Sequence, residues 1–223
     1  MLIIGVDVGS VRRKGGFSWA SSNEQLHGAD DPSALGALIV SSLDAGDRVA
    51  LAFECPLSVP VQSVEGESWK DLGRARAGEG NRSWSASAGT AALATGIVQL
   101  AWLCRYVADN CTSAPRTTTQ LSEFEASRAD LLLAEAMVTS DGKPEPVDGR
   151  LQDHADAVAA AKRLAEIIGA VRGGREDLAD VMCSPAAPLN LAAVAAMHAG
   201  LAIPERELHL EVLVAKVRPV AAN

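Results

Sequence analysis

Apolar residues in the first half of the chain fall in short runs at strand period. Leu2–Val6 closes on Asp7 and the Gly9-Ser10 turn, which predicts a buried strand ending in a carboxylate. Gly15–Ala20 resumes with Phe17 and Trp19 in alternation, and a weaker strand is expected over Glu24–His27. Asp31-Pro32 reads as a helix cap and first helical residue, with Leu35, Leu38, Ile39 and Leu43 on one face and Gly46 at the end. Arg48–Glu54, RVALAFE, is a continuous apolar strand that ends in a second carboxylate before Cys55-Pro56 breaks it.

The pattern then changes. From Pro56 to Ser85 the chain is rich in Ser, Gly, Pro and charge, without periodicity, and is longer than an ordinary connection, so a substrate loop or lid is expected there. Ser87–Asp109 has the longest helical pattern, with Leu93, Ile97, Leu100, Cys104 and Val107. Its nearly all-round apolar character predicts burial against a sheet. Ser85 or Ser87 is the expected cap, and the backbone donors of that helix end are suited to an anion. Arg128–Val138 is a further buried strand, closed by a turn at Asp141-Gly142 and Pro144. Helical spacing returns over Leu151–Ile168 before Gly169 and again over Leu189–Ala199, and Leu208–Val217 alternates like a last strand. This order predicts an α/β layer fold, a mixed sheet flanked by helices.

Length and composition narrow the class. At 223 residues the chain fits one decorated domain, with residues 170–223 as a C-terminal extension. A composition 48% hydrophobic and 22% charged is that of a packed core, not of a disordered chain. No apolar run in the sequence reaches the roughly 18 to 20 residues of a membrane span, and Asp7 interrupts any leader, so a cytoplasmic protein without a membrane partner is expected. Cys55, Cys104, Cys111 and Cys183 lack metal-ligand spacing and read as reduced thiols. The net charge of −8 argues against coating nucleic acid by bulk attraction, so phosphate must be held by local charge.

Four acids stand where elements end: Asp7, Glu54, Asp153 and Asp156. At about 100° per residue, Asp153 and Asp156 are roughly 60° apart on the first turn of their helix. Side by side, the first strand and RVALAFE bring Asp7 and Glu54 to neighbouring strand ends, where open α/β sheets bind ligands. Clustered carboxylates raise one another's pKa unless a proton or cation neutralises them, and an oxygen-only donor set selects Mg²⁺ or Mn²⁺. Two such ions suit phosphodiester hydrolysis. The blander readings are a turn cap for Asp7, a solvated strand end for Glu54, a helix cap for Asp153 and a first-turn charge for Asp156.

GVDVGS at the start, the acid ending LAFE and DHADAVAAA on a late helix together resemble the RNase H-like fold of the RuvC resolvase type. ECPLSVP, NRSWSASAG, EAMVTSDGK and HADAVAAA are similar to a group of RNase H-fold proteins known as predicted nucleases. The resemblance covers most of the chain. It implies a five-stranded mixed sheet, catalytic Asp7, Glu54, Asp153 and Asp156, and Mg²⁺ or Mn²⁺ on Asp7, Glu54 and Asp156.

Arg12, Arg13 and Lys14 follow the first strand and either hold phosphate or form an exposed hairpin. Arg74, Arg76, Arg82 and Trp84 suggest backbone contacts and a stacking face, although Glu65, Glu67, Asp71 and Glu79 offset the positive charge of Lys70, Arg74, Arg76 and Arg82 in that loop. Glu135, inside an apolar strand, needs a partner or belongs to the acidic cluster. His154 lies nearer the apolar face and reads first as a packed side chain, then as a reserve ligand. The leading expectation is a metal-dependent nuclease acting on nucleic acid. The alternatives are a non-catalytic nucleic-acid or partner-binding module and, because GxDxGS also opens actin-like and sugar-kinase folds, a phosphotransferase. The terminal strand is suited to the sheet edge or to a homodimer contact.

Overall fold

The structure, a computed structural model, describes residues 1–80, 83–139, 142–146, 151–175 and 181–219. Arg82 and the turn residue Asp141 lie outside the described residues. Strand β1 (Leu2–Asp7) runs antiparallel to β2 (Ser18–Ser21) on one side and parallel to β4 (Val49–Phe53) on the other. β2 pairs with β3 (His27–Ala29), and β4 pairs in parallel with β7 (Leu131–Met137). The order β3-β2-β1-β4-β7 is consistent with RNase H-like topology and supplies the five strands expected.

Two short strands lengthen the sheet beyond that expectation. β6 (Thr117–Thr118), followed by the short helix α3 (Leu121–Glu125), pairs with the start of β7, and β9 (Val214–Lys216) pairs with its end. The C-terminal alternation over Leu208–Val217 therefore yields only three strand residues. A 3-10 turn over Glu205–His209 precedes them, because Glu207 is buried and accepts from the Thr118 hydroxyl and from the Thr119 amide and hydroxyl. The third strand also lies later than Glu24–His27. Ser21 and Asn23 organise that earlier stretch as a turn, in which the Ser21 hydroxyl donates to Asn23 and accepts from the Leu26 amide.

Side-chain parity divides the core. Ile4, Val6, Leu51, Phe53, Leu131 and Leu133 face α1 (Pro32–Asp44), α2 (Ser87–Asn110) and α5 (Leu191–Ala199). Ile3, Ala50, Ala52, Leu132, Ala134 and Ala136 face α4 (Gln152–Arg172) through its Ala160, Leu164, Ile167 and Ile168. α2 has the length and hydropathy of a membrane span, yet its Leu100, Leu103, Cys104 and Val107 are buried in the core. Its cap is Ala86, which offers no side-chain acceptor, rather than Ser85 or Ser87. α4 runs past Gly169 to a cap at Gly173, since Gly169 keeps a helical backbone in open space.

The Pro56–Ser85 segment carries more structure than its composition suggests. β5 (Ser58–Val61) pairs antiparallel with β8 (Ala187–Asn190), and a 3-10 turn covers Ser68–Asp71. Arg76 is buried within it together with Glu79 and paired with Glu79 and Glu135, so unlike the exposed Arg74 it is not presented to a nucleic-acid backbone.

At Gly5, α4 lies directly on the sheet. A Cβ there would meet the Ala157 carbonyl oxygen at 2.0 Å and the Ala161 nitrogen at 2.6 Å, so the backbones approach because no side chain intervenes. Gly5→Ala is expected to force α4 outward and to cost about 3 kcal/mol, as overpacking does. The measurement is the urea midpoint, and an unchanged midpoint would mean that the helix yields freely.

Candidate metal centre

Gly5 fixes where α4 begins relative to β1, and that places its first turn over the strand ends. Asp7 is the last residue of β1, and Glu54 follows β4 directly. Val6 pairs with Phe53, so the two carboxyl-bearing residues come next in register on neighbouring parallel strands. By parity with Gly5 and Ala52, both project to the α4 face. Asp156, one residue before the contact residue Ala157, meets them there. One carboxylate oxygen from each of Asp7, Glu54 and Asp156 lies within 4.8 Å of the others, a group able to hold a metal ion.

The surroundings of each acid differ. Asp156 is buried, accepts from Gln152 Nε2 at 2.7 Å and lies 3.0 Å from Lys143 Nζ. Gln152 is fixed by a second bond, to the Pro144 carbonyl at 2.8 Å. Glu54 is hydrogen-bonded to Asp7, while its Oε2 is buried and has no hydrogen-bond partner among the described residues. Burial, then the charge of Asp153, raises the Asp7 pKa to about 7; the hydrogen bond from Glu54 works in the opposite direction. Burial, then the charges of Asp7 and Asp156, holds the Glu54 carboxyl well above its ordinary range. Without a divalent cation the cluster therefore keeps a proton between Asp7 and Glu54.

A hard divalent cation fits this donor set. All three ligating groups are carboxylates, and the orphaned Glu54 oxygen is a buried acceptor that a cation would satisfy.

Asp153 stands apart from the triad. Its Oδ2 is 2.7 Å from Arg13 NH2, although its charge still reaches Asp7. Glu135 is not part of the triad. It pairs in register with Phe53 rather than following it, so its side chain lies on the α2 face with Leu131 and Leu133. There it is buried, accepts from the Leu57 amide at 2.8 Å and binds Arg76 through two bonds of 2.6 and 2.7 Å. His154 is half-buried, its ring edge-on to His27 at 5.2 Å. Arg12 and Lys14 are exposed on the hairpin after β1. Arg74 is exposed beside Asp71, at 3.4 Å. Trp84 is half-buried and donates Nε1–H to the Arg74 carbonyl at 2.9 Å, so its edge is engaged within the loop.

Lys143 and Gln152 were not legible as site residues. The Gln152–Asp156 spacing of four is a helical pairing signal. Lys143 has no comparable signal, because its segment reaches Asp156 only through tertiary contact. Compared with protein-family models, with curated proteins and with solved structures, the chain matches none of them.

The raised pKa of Asp7 predicts a pH-dependent stability. In the folded chain Asp7 keeps its proton to about pH 7, whereas the unfolded chain releases it near 3.8. The metal-free protein is therefore progressively penalised as pH rises through that window, and the penalty is complete above it. In chelator, the melting temperature of Asp7→Asn relative to wild type should climb from pH 4 to pH 7 and then level off. A difference constant across pH would show that Asp7 titrates normally.

Proposed function

We propose that the chain is a divalent-metal-dependent phosphodiesterase acting on nucleic acid, with Mg²⁺ or Mn²⁺ on Asp7, Glu54 and Asp156. The observation that carries this reading is the 4.8 Å carboxylate triad at the ends of two parallel strands, with one buried Glu54 oxygen lacking a partner. Bound there, divalent cations would supply Lewis acidity for the hydrolysis of a phosphodiester.

The protein's own groups prepare the site. Asp7 and Glu54, whose carboxyls burial and mutual repulsion hold above their ordinary range, would hold a cation in place of a proton. Lys143 neutralises Asp156 beforehand, and Gln152 keeps that carboxylate aimed at its neighbours. Asp153, the fourth acid of the proposal, is held at the rim by Arg13. Arg12 and Lys14, on the same hairpin, are accessible to the phosphates of a substrate. In a chain of net charge −8, such local cations must supply most of the attraction to a polyanion.

A second reading, a nucleic-acid or partner-binding module without turnover, draws support from the same cations. Lys143 and Arg13 balance Asp156 and Asp153 from within the chain. One experiment separates the two. Wild type and Asp7→Asn are incubated in Mn²⁺ with single-stranded, duplex, RNA–DNA hybrid and branched oligonucleotides, with Mn²⁺ affinity measured by calorimetry. The enzymatic reading expects cleavage of at least one substrate and about a 100-fold or greater loss in the variant, since losing a ligand should cost at least as much as the roughly 10 to 100-fold seen for residues that only support ligands. Binding without cleavage by wild type would favour the module, and equal cleavage by both proteins would end the proposed role of Asp7.

A further inference from the structure

The helices on the sheet face opposite α4 carry almost no charge. α1 has no charged residue between Pro32 and Leu43, α2 has none between Ser87 and Cys104, and α5 has only the titratable His198. α2 packs against both α1 and α5, so the three form one layer. Its outer surface is apolar as well as uncharged: Val98 is 66% exposed, Trp102 46% and, on α5, Val194 41%. Ala91, Ala94, Val98 and Trp102 are all exposed and follow one another at steps of three and four, a continuous stripe along α2. In a chain with 22% charged residues, contiguous apolar exposure of this kind marks an interaction surface.

The charge pattern decides what covers it. A lipid surface is disfavoured, because anionic headgroups call for flanking lysines and arginines. Along the α2 stripe the first cation is Arg105, which is already paired with Asp109 at 2.8 Å. A second copy of the chain fits better. With a net charge of −8, two copies repel one another over most of their surface, and this layer lets them meet without opposing carboxylates. The stripe is also complementary to itself. When two α2 helices run antiparallel about a two-fold axis at Val98, residues equally far from Val98 face each other. Trp102 of each copy then covers Ala94 of the other, large against small, and the Arg105–Asp109 pair falls at the rim. At roughly 1.5 Å of rise per residue and about 8 to 10 Å between helices, the layer offers about 500 to 600 Å² per copy. That is somewhat below the roughly 800 Å² per partner of standard complexes, the size of a weak, reversible dimer.

We infer that α1, α2 and α5 form the contact of a two-fold homodimer with Val98 on the axis. The contact is distinct from the terminal strand, since β9 is already paired with β7. Asp7, Glu54 and Asp156 meet on the α4 face, so dimerisation leaves the triad open and does not depend on the phosphodiesterase reading.

Sedimentation equilibrium of the full chain between about 1 and 100 µM should show monomer and dimer exchanging with a micromolar Kd. Val98→Glu and Val98→Lys each set like charges against one another across the axis, and each alone should weaken association at least about 100-fold. Both replacements are good helix formers at an exposed position, so the melting temperature of the dilute monomer should stay within about 2 °C of wild type. Mixed in equal amounts, the two variants should recover a dimer, because opposite charges then meet at the axis. A wild-type chain that is monomeric throughout, a variant that associates as tightly as wild type, or a mixture no tighter than either variant alone overturns the inference. Flotation of the wild-type monomer with phosphatidylcholine vesicles would overturn it too, by assigning the face to lipid.

Discussion

The backbone of α4 rests on β1 because residue 5 has no side chain, and the rest of the site depends on that contact. With Ala157 and Ala161 seated against Gly5, the residue just before Ala157 is carried to the level of the strand terminus two positions beyond Gly5. Asp156 thus meets Asp7, and Glu54 joins them because β4 runs parallel to β1 in the adjacent register. A bulkier residue 5 would shift the helix by a distance comparable to the span of a coordination shell. Small residues along α4, Ala157, Ala160 and Ala161, complete the close fit.

Charge is managed differently on the two faces of the sheet. On the α4 face, carboxylates crowd together, with Lys143 the close cation among the described residues, so burial and repulsion are retained as tension. On the α2 face, Glu135 meets a guanidinium in bidentate geometry, with the Leu57 amide donating to its Oε2 as well. One arrangement is under-satisfied and the other is nearly complete. That contrast separates a group poised for a ligand from one that holds a segment in place.

Much of the framework was legible because it depends on local periodicity. The strands Leu2–Asp7, Val49–Phe53 and Leu131–Met137 and the helices starting at Pro32, Ser87 and Gln152 follow from apolar spacing and turn residues. Asp7 and Glu54 were legible because each closes an apolar run. For Glu135 the need for a partner was legible from its apolar strand, but only the register against Phe53 reveals that it faces away from the acidic cluster and finds that partner in Arg76. The pairings of Lys143, Arg76 and Glu207 were hidden for another reason. Each acts through partners 13 to 89 residues away, and no one-dimensional period encodes such pairings. The short strands β6 and β9 likewise depend on an edge of β7 that only the folded sheet provides.

The anchoring of Arg76 also bears on how the Pro56–Ser85 segment can move. Its guanidinium is shared between Glu79, in the same segment, and Glu135, on a central strand. Peeling this stretch from the sheet would bare a lone carboxylate in the interior, a far larger cost than parting a surface contact. Partial fraying around Arg76 is therefore disfavoured, and the segment should detach there as one cooperative unit or remain docked.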